Sequence, residues 1–222
     1  DDVFADFWKK ISSKNKQMTF GLNGKSDVSA RYHLNAMNSD VEMITPVGNV
    51  DFNLPVPGEH NVRNALAAAT AAIALNVPLN KIAQGLSSFA GVKGRLQPKS
   101  GFAGARVIDD TYNANPLSMK AAIDVLAANQ GQRIFVMGDM AELGDDAAKM
   151  HAEIGAYAKA ANVETFYALG KLTPQAVSAF GASAQYFESV EGLVDALKKQ
   201  MNSNVTVLVK GSRSARMERV VD

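Results

Sequence analysis

The sequence predicts an α/β protein: a parallel sheet covered on both faces by helices, preceded by a smaller mixed α/β region. Three observations carry this. From residue 105 onward, apolar runs of strand length alternate regularly with helical patterns, and parallel neighbours need crossovers of that kind. Before residue 90 the texture differs, with clustered strand-like pieces followed by two helices. Between them, Gly91-Val92-Lys93-Gly94-Arg95 places two glycines where no helix continues. The expected domains are therefore 1–93 and 94–222.

The elements follow in order. Phe4–Ile11 is a short amphipathic stretch, and Met18–Leu22, Val28–Leu34, Val41–Thr45 and Gly48–Val56 read as strands. Pro46–Asn49 reads as the turn of a hairpin between the last two. A helix is predicted from about Asn61 to Leu75, with Leu66 and Ile73 on its apolar face, and another over Leu79–Phe89, where Ile82, Leu86 and Phe89 recur at helical spacing. The second region predicts strands at Ala105–Ile108, Arg133–Met137, Thr165–Leu169, Gln185–Phe187 and Val205–Val209. Helices are predicted over Pro116–Ala128, Ala147–Ala161, Pro174–Phe180, Val190–Met201 and from Ala215 to the end.

Composition narrows the classes. With 23 basic and 22 acidic residues and no basic stripe, nucleic-acid binding is not expected. No cysteine is present, which removes disulfides, zinc–thiolate sites and a thiol nucleophile, and fits a cytoplasmic protein. The longest apolar stretch, Ala65–Leu75, is too short and alanine-rich to span a bilayer. The acidic start (Asp1, Asp2, Asp6) does not read as a signal peptide, and the missing initial methionine suggests a fragment or domain.

Ligands of open α/β sheets bind beyond the carboxyl ends of the strands. Those ends read Asp109-Asp110-Thr111-Tyr112-Asn113-Ala114-Asn115-Pro116, Gly138-Asp139-Met140, Gly170-Lys171 and Lys210-Gly211-Ser212-Arg213-Ser214. Carboxylates, amides, hydroxyls and cations thus gather along one edge, which suits a polar, charged substrate. Two readings stand for Asn115 and Asp139, helix capping or ligand contact, since Asn before Pro116 is a good N-cap by itself. The adjacent carboxylates of Asp109 and Asp110 repel, so at least one is expected to face solvent, a cation or a hydroxyl-rich ligand. In the first region Pro57-Gly58-Glu59-His60-Asn61-Val62-Arg63-Asn64 leads from a turn into a helix. Free backbone N–H groups there favour anions, and Asn61 and Asn64 share a face. An amide offers the donor and acceptor that an adenine edge requires, although a capped helix explains the same string. Gly24-Lys25-Ser26 is a decoy for a phosphate-binding P-loop: the required upstream glycine is Thr19 and no helix pattern follows.

Taken together, these strings resemble the Mur ligases of peptidoglycan synthesis and their relative folylpolyglutamate synthase. The resemblance rests on Gly58–Ala65, on Gly94-Arg95 and on Asp110, in matching order and spacing, and it covers essentially the whole chain. It implies a Rossmann-like C-terminal domain preceded by the remnant of a central ATPase domain whose P-loop half is missing. It also implies an ATP-dependent ligase working through an acyl phosphate. The strings Asp109–Pro116, Gly138–Gly144 and Val209–Ser214 imply UDP-N-acetylmuramoyl-tripeptide as the acid and D-alanyl-D-alanine as the acceptor. By the same resemblance His60, Asn61, Asn64, Arg95, Asp110 and Tyr112 bind the nucleotide, with Arg95 and Asp110 closest to the chemistry. Asn113, Asn115, Lys210, Ser212 and Arg213 hold the dipeptide. ATP and Mg2+ are the implied cofactors, with the metal ligands in the missing half, and a monomer is implied. A fragment of this kind is expected to be inactive alone. The rival readings are another Mur or folylpolyglutamate-type ligase and a non-catalytic dipeptide-binding module. A nicotinamide-binding domain is disfavoured, because no Gly-x-Gly-x-x-Gly follows the first strand of the second region.

Overall fold

The computed structural model describes residues 3–23 and 25–222, and the chain divides into two compact units, Asp1–Ala90 and Gly91–Asp222. The first unit opens with α1 (Ala5–Ile11), which buries no residue. Strands β1 (Ser29–Leu34), β2 (Ser39–Thr45) and β3 (Gly48–Leu54) form an antiparallel sheet in that order. Alternation along β2 puts Val41 and Met43 in the core and Asp40 outside. The hairpin closes at the Thr45–Gly48 pair, where the Thr45 hydroxyl donates to the Gly48 carbonyl at 2.7 Å. Helices α2 (Glu59–Ala74) and α3 (Leu79–Ser87) supply Val62, Leu66, Ile73 and Ile82 to the same core.

The strand expected at Met18–Leu22 is reduced to one bridge, Phe20 to Val28. The Asp27 carboxylate explains this: it accepts from both the backbone N–H and the hydroxyl of Thr19, at 2.7 Å each. A side-chain clasp thus replaces a longer ladder. Of the P-loop decoy, Gly24 lies outside the described residues, and Lys25 and Ser26 lead into β1 without an intervening helix.

The second unit runs β4 (Gln97–Ser100), β5 (Arg106–Asp110), α4 (Pro116–Ala127), β6 (Gln132–Gly138), α5 (Ala147–Ala160), β7 (Thr165–Leu169), α6 (Pro174–Phe180), β8 (Ala184–Phe187), α7 (Val190–Lys198), β9 (Val205–Lys210) and α8 (Glu218–Val221). Its six-stranded sheet has the order β4-β5-β9-β6-β7-β8. All pairs are parallel except β4 with β5. The last strand therefore returns to the middle, and every residue of β9 is buried. Helices α4, α5 and α6 pack on one another, over the face where Phe166 meets Phe135 and Phe180. The opposite face buries Tyr167, Phe187 and Val207 with Leu193 and Leu197 of α7 and with Met217. Alternation of neighbours such as Phe166 and Tyr167 between faces is what a sheet covered twice requires.

This is the α/β class the sequence predicts, with two corrections. Edge strand β4 was not foreseen, because Gln-Pro-Lys-Ser carries no apolar alternation; Pro98 is tolerated there because an edge leaves one side of the strand unpaired. The helix expected from Ala215 onward is interrupted. Arg213–Ala215 forms a 3-10 turn, Arg216 takes a left-handed φ of 50°, and only α8 follows. Among the described residues no helix is long and apolar enough to cross a membrane. Phe166 is fully buried between two rings, so Phe166→Ala is expected to cost about 3–5 kcal/mol. Chemical denaturation of the variant beside the wild type checks this.

Candidate functional site

The β5 connection runs to α4 on one face of the sheet, while that of its neighbour β9 runs to α8 on the other. The loops diverge and leave a crevice at the carboxyl ends of the strands. A cleft of about 710 Å³ lies there, lined by Asn113, Asn115, Glu142, Ser212, Arg213, Arg216 and their neighbours. Asn113 and Asn115 come from the β5–α4 loop, Glu142 from the loop after β6, and the rest from the loop after β9.

Beneath this cleft the two adjacent aspartates are each neutralised by a lysine on opposite faces of β5. The Asp110 carboxylate lies 2.6 Å from the Lys210 ammonium, whose residue is its direct register partner on β9. Lys210 also donates to the Asn113 carbonyl at 2.8 Å, and the other Asp110 oxygen accepts the Leu96 N–H at 3.1 Å. Asp109 faces Lys99 of β4 at 2.8 Å and accepts from the Thr111 hydroxyl at 2.7 Å. Lys210 is only 2% exposed, so its cation is spent inside the fold and holds the Asn113 loop from below.

The other candidate residues stand as follows. Asn115 is an N-cap: its side-chain oxygen accepts from Ser118 N–H at 2.8 Å, and the Ser118 hydroxyl accepts from Asn115 N–H at 3.1 Å. Even so, it lines the cleft. Asn113 accepts from its neighbour Ala114 N–H at 2.9 Å. Ser212 is buried with its hydroxyl 3.1 Å from that of Ser214. Arg213 is exposed and pairs with Glu218 at 3.3 Å. Asp139 is absorbed structurally, its carboxylate accepting the backbone N–H groups of Lys171, Leu172 and Thr173. A Cβ on Gly170 would fall 2.4 Å from that carboxylate, which explains the glycine.

Arg95 and Tyr112 form a second feature of this unit. The guanidinium carbon sits 4.3 Å from the centre of the exposed Tyr112 ring. The Tyr112 N–H donates to the Gly94 carbonyl at 3.0 Å. Gly94 has a φ of 72°, and a Cβ there would meet the Tyr112 nitrogen at 3.1 Å. The turn expected as a linker is therefore knitted onto the end of β5.

In the first unit, His60 and Asn61 lie in the first turn of α2. Asn61 donates to the Pro57 carbonyl at 2.7 Å, and Asn64 donates to the Asn61 side-chain oxygen at 3.5 Å. Nearby, the Tyr32 hydroxyl donates to Glu59 at 2.7 Å. That bond, with help from Arg63, holds the Glu59 carboxyl below its ordinary value against the opposing effect of burial. Its contribution to stability is complete above the ordinary carboxylate range and is lost as pH falls through the lowered value.

Sequence reasoning named no role for Glu142, Ser214, Arg216 or Glu218, all of which line the cleft. The first two fell inside the strings Gly138–Gly144 and Val209–Ser214 that carry the resemblance, which was the signal available for them. Arg216 and Glu218 lay inside an expected helix.

Two outcomes follow. Asp110→Ala strands the buried Lys210 ammonium and is expected to destabilise the second unit by about 3–5 kcal/mol, while the Asp110→Leu/Lys210→Met pair recovers most of the loss. Urea titration read by hydrogen exchange in β5 and β9 measures both. Tyr32→Phe is expected to raise the Glu59 titration midpoint towards the ordinary carboxylate value, read by carboxyl-carbon NMR.

Comparisons with known proteins agree along the whole chain. The family model described as "Mur ligase, glutamate ligase domain" matches residues 94–213, and that for the Mur ligase middle domain matches residues 1–72. The UDP-N-acetylmuramoyl-tripeptide–D-alanyl-D-alanine ligase of Escherichia coli K12 is 38% identical over 218 residues, covering 96% of this chain and 48% of the relative. The same ligase of Haemophilus influenzae is 38% identical over 222 residues, covering 97% and 48%. A crystal structure of MurF from Acinetobacter baumannii superposes with a TM-score of 0.91 at 33% identity, over all of this chain and 50% of that one. MurF from Thermotoga maritima in complex with ADP, at 23% identity and a TM-score of 0.83, covers 98% and 51% and shares the fold. The chain spans about half the length of the curated relatives it matches. With both family models and these relatives in agreement, the chain belongs to the Mur ligase family.

Proposed function

We propose that the full-length protein carrying this chain is an ATP-dependent ligase that joins D-alanyl-D-alanine to UDP-N-acetylmuramoyl-tripeptide in peptidoglycan precursor synthesis. Residues 94–222 are the acceptor domain in this reading. Residues 1–93 are the C-terminal part of the ATP-binding domain, without its P-loop half. The observation that carries the reading is the charge pattern of the strand-end cleft. Arg213 and Arg216 offer cations, Glu142 and Glu218 offer carboxylates, and Asn113 and Asn115 offer amides. A zwitterionic dipeptide with a free ammonium, a peptide group and a carboxylate complements this set. The identity to ligases named for the same acceptor supports it.

ATP supplies the phosphoryl group that activates the tripeptide carboxylate, and the chain's residues bind and orient. Arg95 keeps its charge in every state and donates in a fork, which suits phosphate oxygens. The exposed Tyr112 ring beneath it offers a flat surface for a base or sugar. His60, Asn61 and Asn64 are assigned to the adenine side. Asp110 retains acceptor capacity for ribose hydroxyls beyond its bonds to Lys210 and Leu96. Lys210 acts on the dipeptide through the Asn113 loop it holds. No residue here is assigned to Mg2+, because among the described residues no three His, Asp or Glu side chains converge to hold a metal ion. The reading carries a monomeric cytoplasmic enzyme with it.

By itself the chain is expected to bind the dipeptide and to turn over no ATP, because it contains no Gly-x-x-x-x-Gly-Lys-[Ser/Thr] loop. Calorimetry with D-alanyl-D-alanine gives a binding isotherm in this reading. Arg213→Ala is expected to weaken it at least about tenfold, the usual cost of one charged hydrogen bond. The reading fails if wild type gives no heat with the dipeptide, or if the full-length protein releases phosphate equally with glutamate or a diamino acid.

A further inference from the structure

We propose that His151 is a positioning residue of the cleft: its buried imidazole, held in one neutral tautomer, fixes the loop after β6 in the shape that the acceptor meets. The identity of the acceptor rests on the reading above; the loop and the tautomer do not.

His151 lies on α5 and is 0% exposed. Its two ring nitrogens meet partners of opposite kind. Nδ1 is 2.7 Å from the Ala147 carbonyl oxygen, which can only accept. Nε2 is 3.0 Å from the Met140 backbone nitrogen, which can only donate. The partners therefore dictate the ring: Nδ1 carries the proton and Nε2 accepts. The facing carboxylate, Asp139, stands 3.8 Å from Nε2, and its oxygens already accept the N–H groups of residues 171 to 173.

This bond acts on the cleft through the backbone. Met140 is buried, and the Asp139 carbonyl accepts the Ser212 N–H at 2.8 Å. Anchored there, the chain runs through Ala141, Glu142 and Leu143 along the cleft wall. Glu142 takes a φ of 61°. Left-handed backbone is unfavourable for a residue with a Cβ, and it persists only where the surroundings over-determine it. His151 clamps the upstream side of this strained residue, and Gly144, with its own φ of 61°, accommodates the downstream side. A ring without nitrogens fills the same space but orphans the buried Met140 N–H. Glutamine keeps a carbonyl able to reach that N–H and an amino group able to face Ala147.

The test uses the full 222-residue chain as wild type, His151→Phe and His151→Gln. Nitrogen NMR of the wild-type imidazole is expected to show Nδ1 protonated and Nε2 bare. Hydrogen exchange at Met140, referenced to β6 amides in the same sample, is expected to speed at least about tenfold in H151F and less than about threefold in H151Q, as loss and retention of one hydrogen bond require. The affinity for D-alanyl-D-alanine is expected to follow the same order, a drop of about tenfold against one under about threefold. An Nε2-protonated ring, unchanged Met140 exchange in H151F, or faster exchange with undiminished dipeptide affinity each overturns the proposal. Should wild type bind no dipeptide, the acceptor reading falls, and the ring spectrum and Met140 exchange still decide whether His151 sets the loop. Should H151F not fold, the ring spectrum and the Met140 exchange rate in H151Q decide in its place.

Discussion

The ion pair between Asp110 and Lys210 is the contact on which the second unit's working edge is built. Both charges sit at the ends of paired central strands, away from water, 2.6 Å apart. Neither is stable there without the other, because the desolvation cost of an isolated buried charge exceeds what the fold can absorb. Each also bonds to backbone: Asp110 accepts the Leu96 N–H, and Lys210 donates to the Asn113 carbonyl. One pair thus binds three chain segments, the entry turn before β4, the loop after β5 and the end of β9. Charge placed here sacrifices some stability relative to an apolar pair, and in exchange it specifies where two polar loops must lie.

The same logic repeats outward at lower cost. Asp139 gathers three backbone N–H groups from the β7–α6 loop, and His151 holds the N–H of Met140. The backbone around the cleft is therefore held by side chains committed to backbone partners, the buried His151 among them. Residues that line the cleft, such as Glu142, Arg213 and Arg216, are presented on a frame anchored by these bonds. Preorganisation of this kind reduces the ordering cost when a small polar ligand binds.

The left-handed residues mark where that frame is under tension. Glu142 and Arg216 both carry a Cβ in a conformation that favours glycine, and both line the cleft. The other left-handed non-glycine residues, Asn76, Leu96, Ala103 and Asn162, do not line the cleft, so the strain at Glu142 and Arg216 bears on the cleft's shape through those two positions alone.

Much of this protein was legible in the sequence because the information was local. Apolar periodicity gave β5, β6, β7 and β9 and helices α4, α5 and α6 nearly to the residue, since each depends on its own spacing of buried side chains. The order of polar strings then placed the candidate site at the strand ends. What escaped was non-local. Strand β4 exists because β5 offers it an edge, and Gln-Pro-Lys-Ser has no periodicity of its own to announce that. Lys210 reads as a free cation in the sequence, yet its register opposite Asp110 buries it. Asp139 reads as a cap or a ligand, and the tertiary fold alone turned it towards the β7–α6 loop. Arg216 ended an expected helix because the return to α8 demanded a left-handed turn. Pattern along the chain determined which segments became strands and helices, whereas pairing between distant segments decided which charges met each other and which faced the cleft.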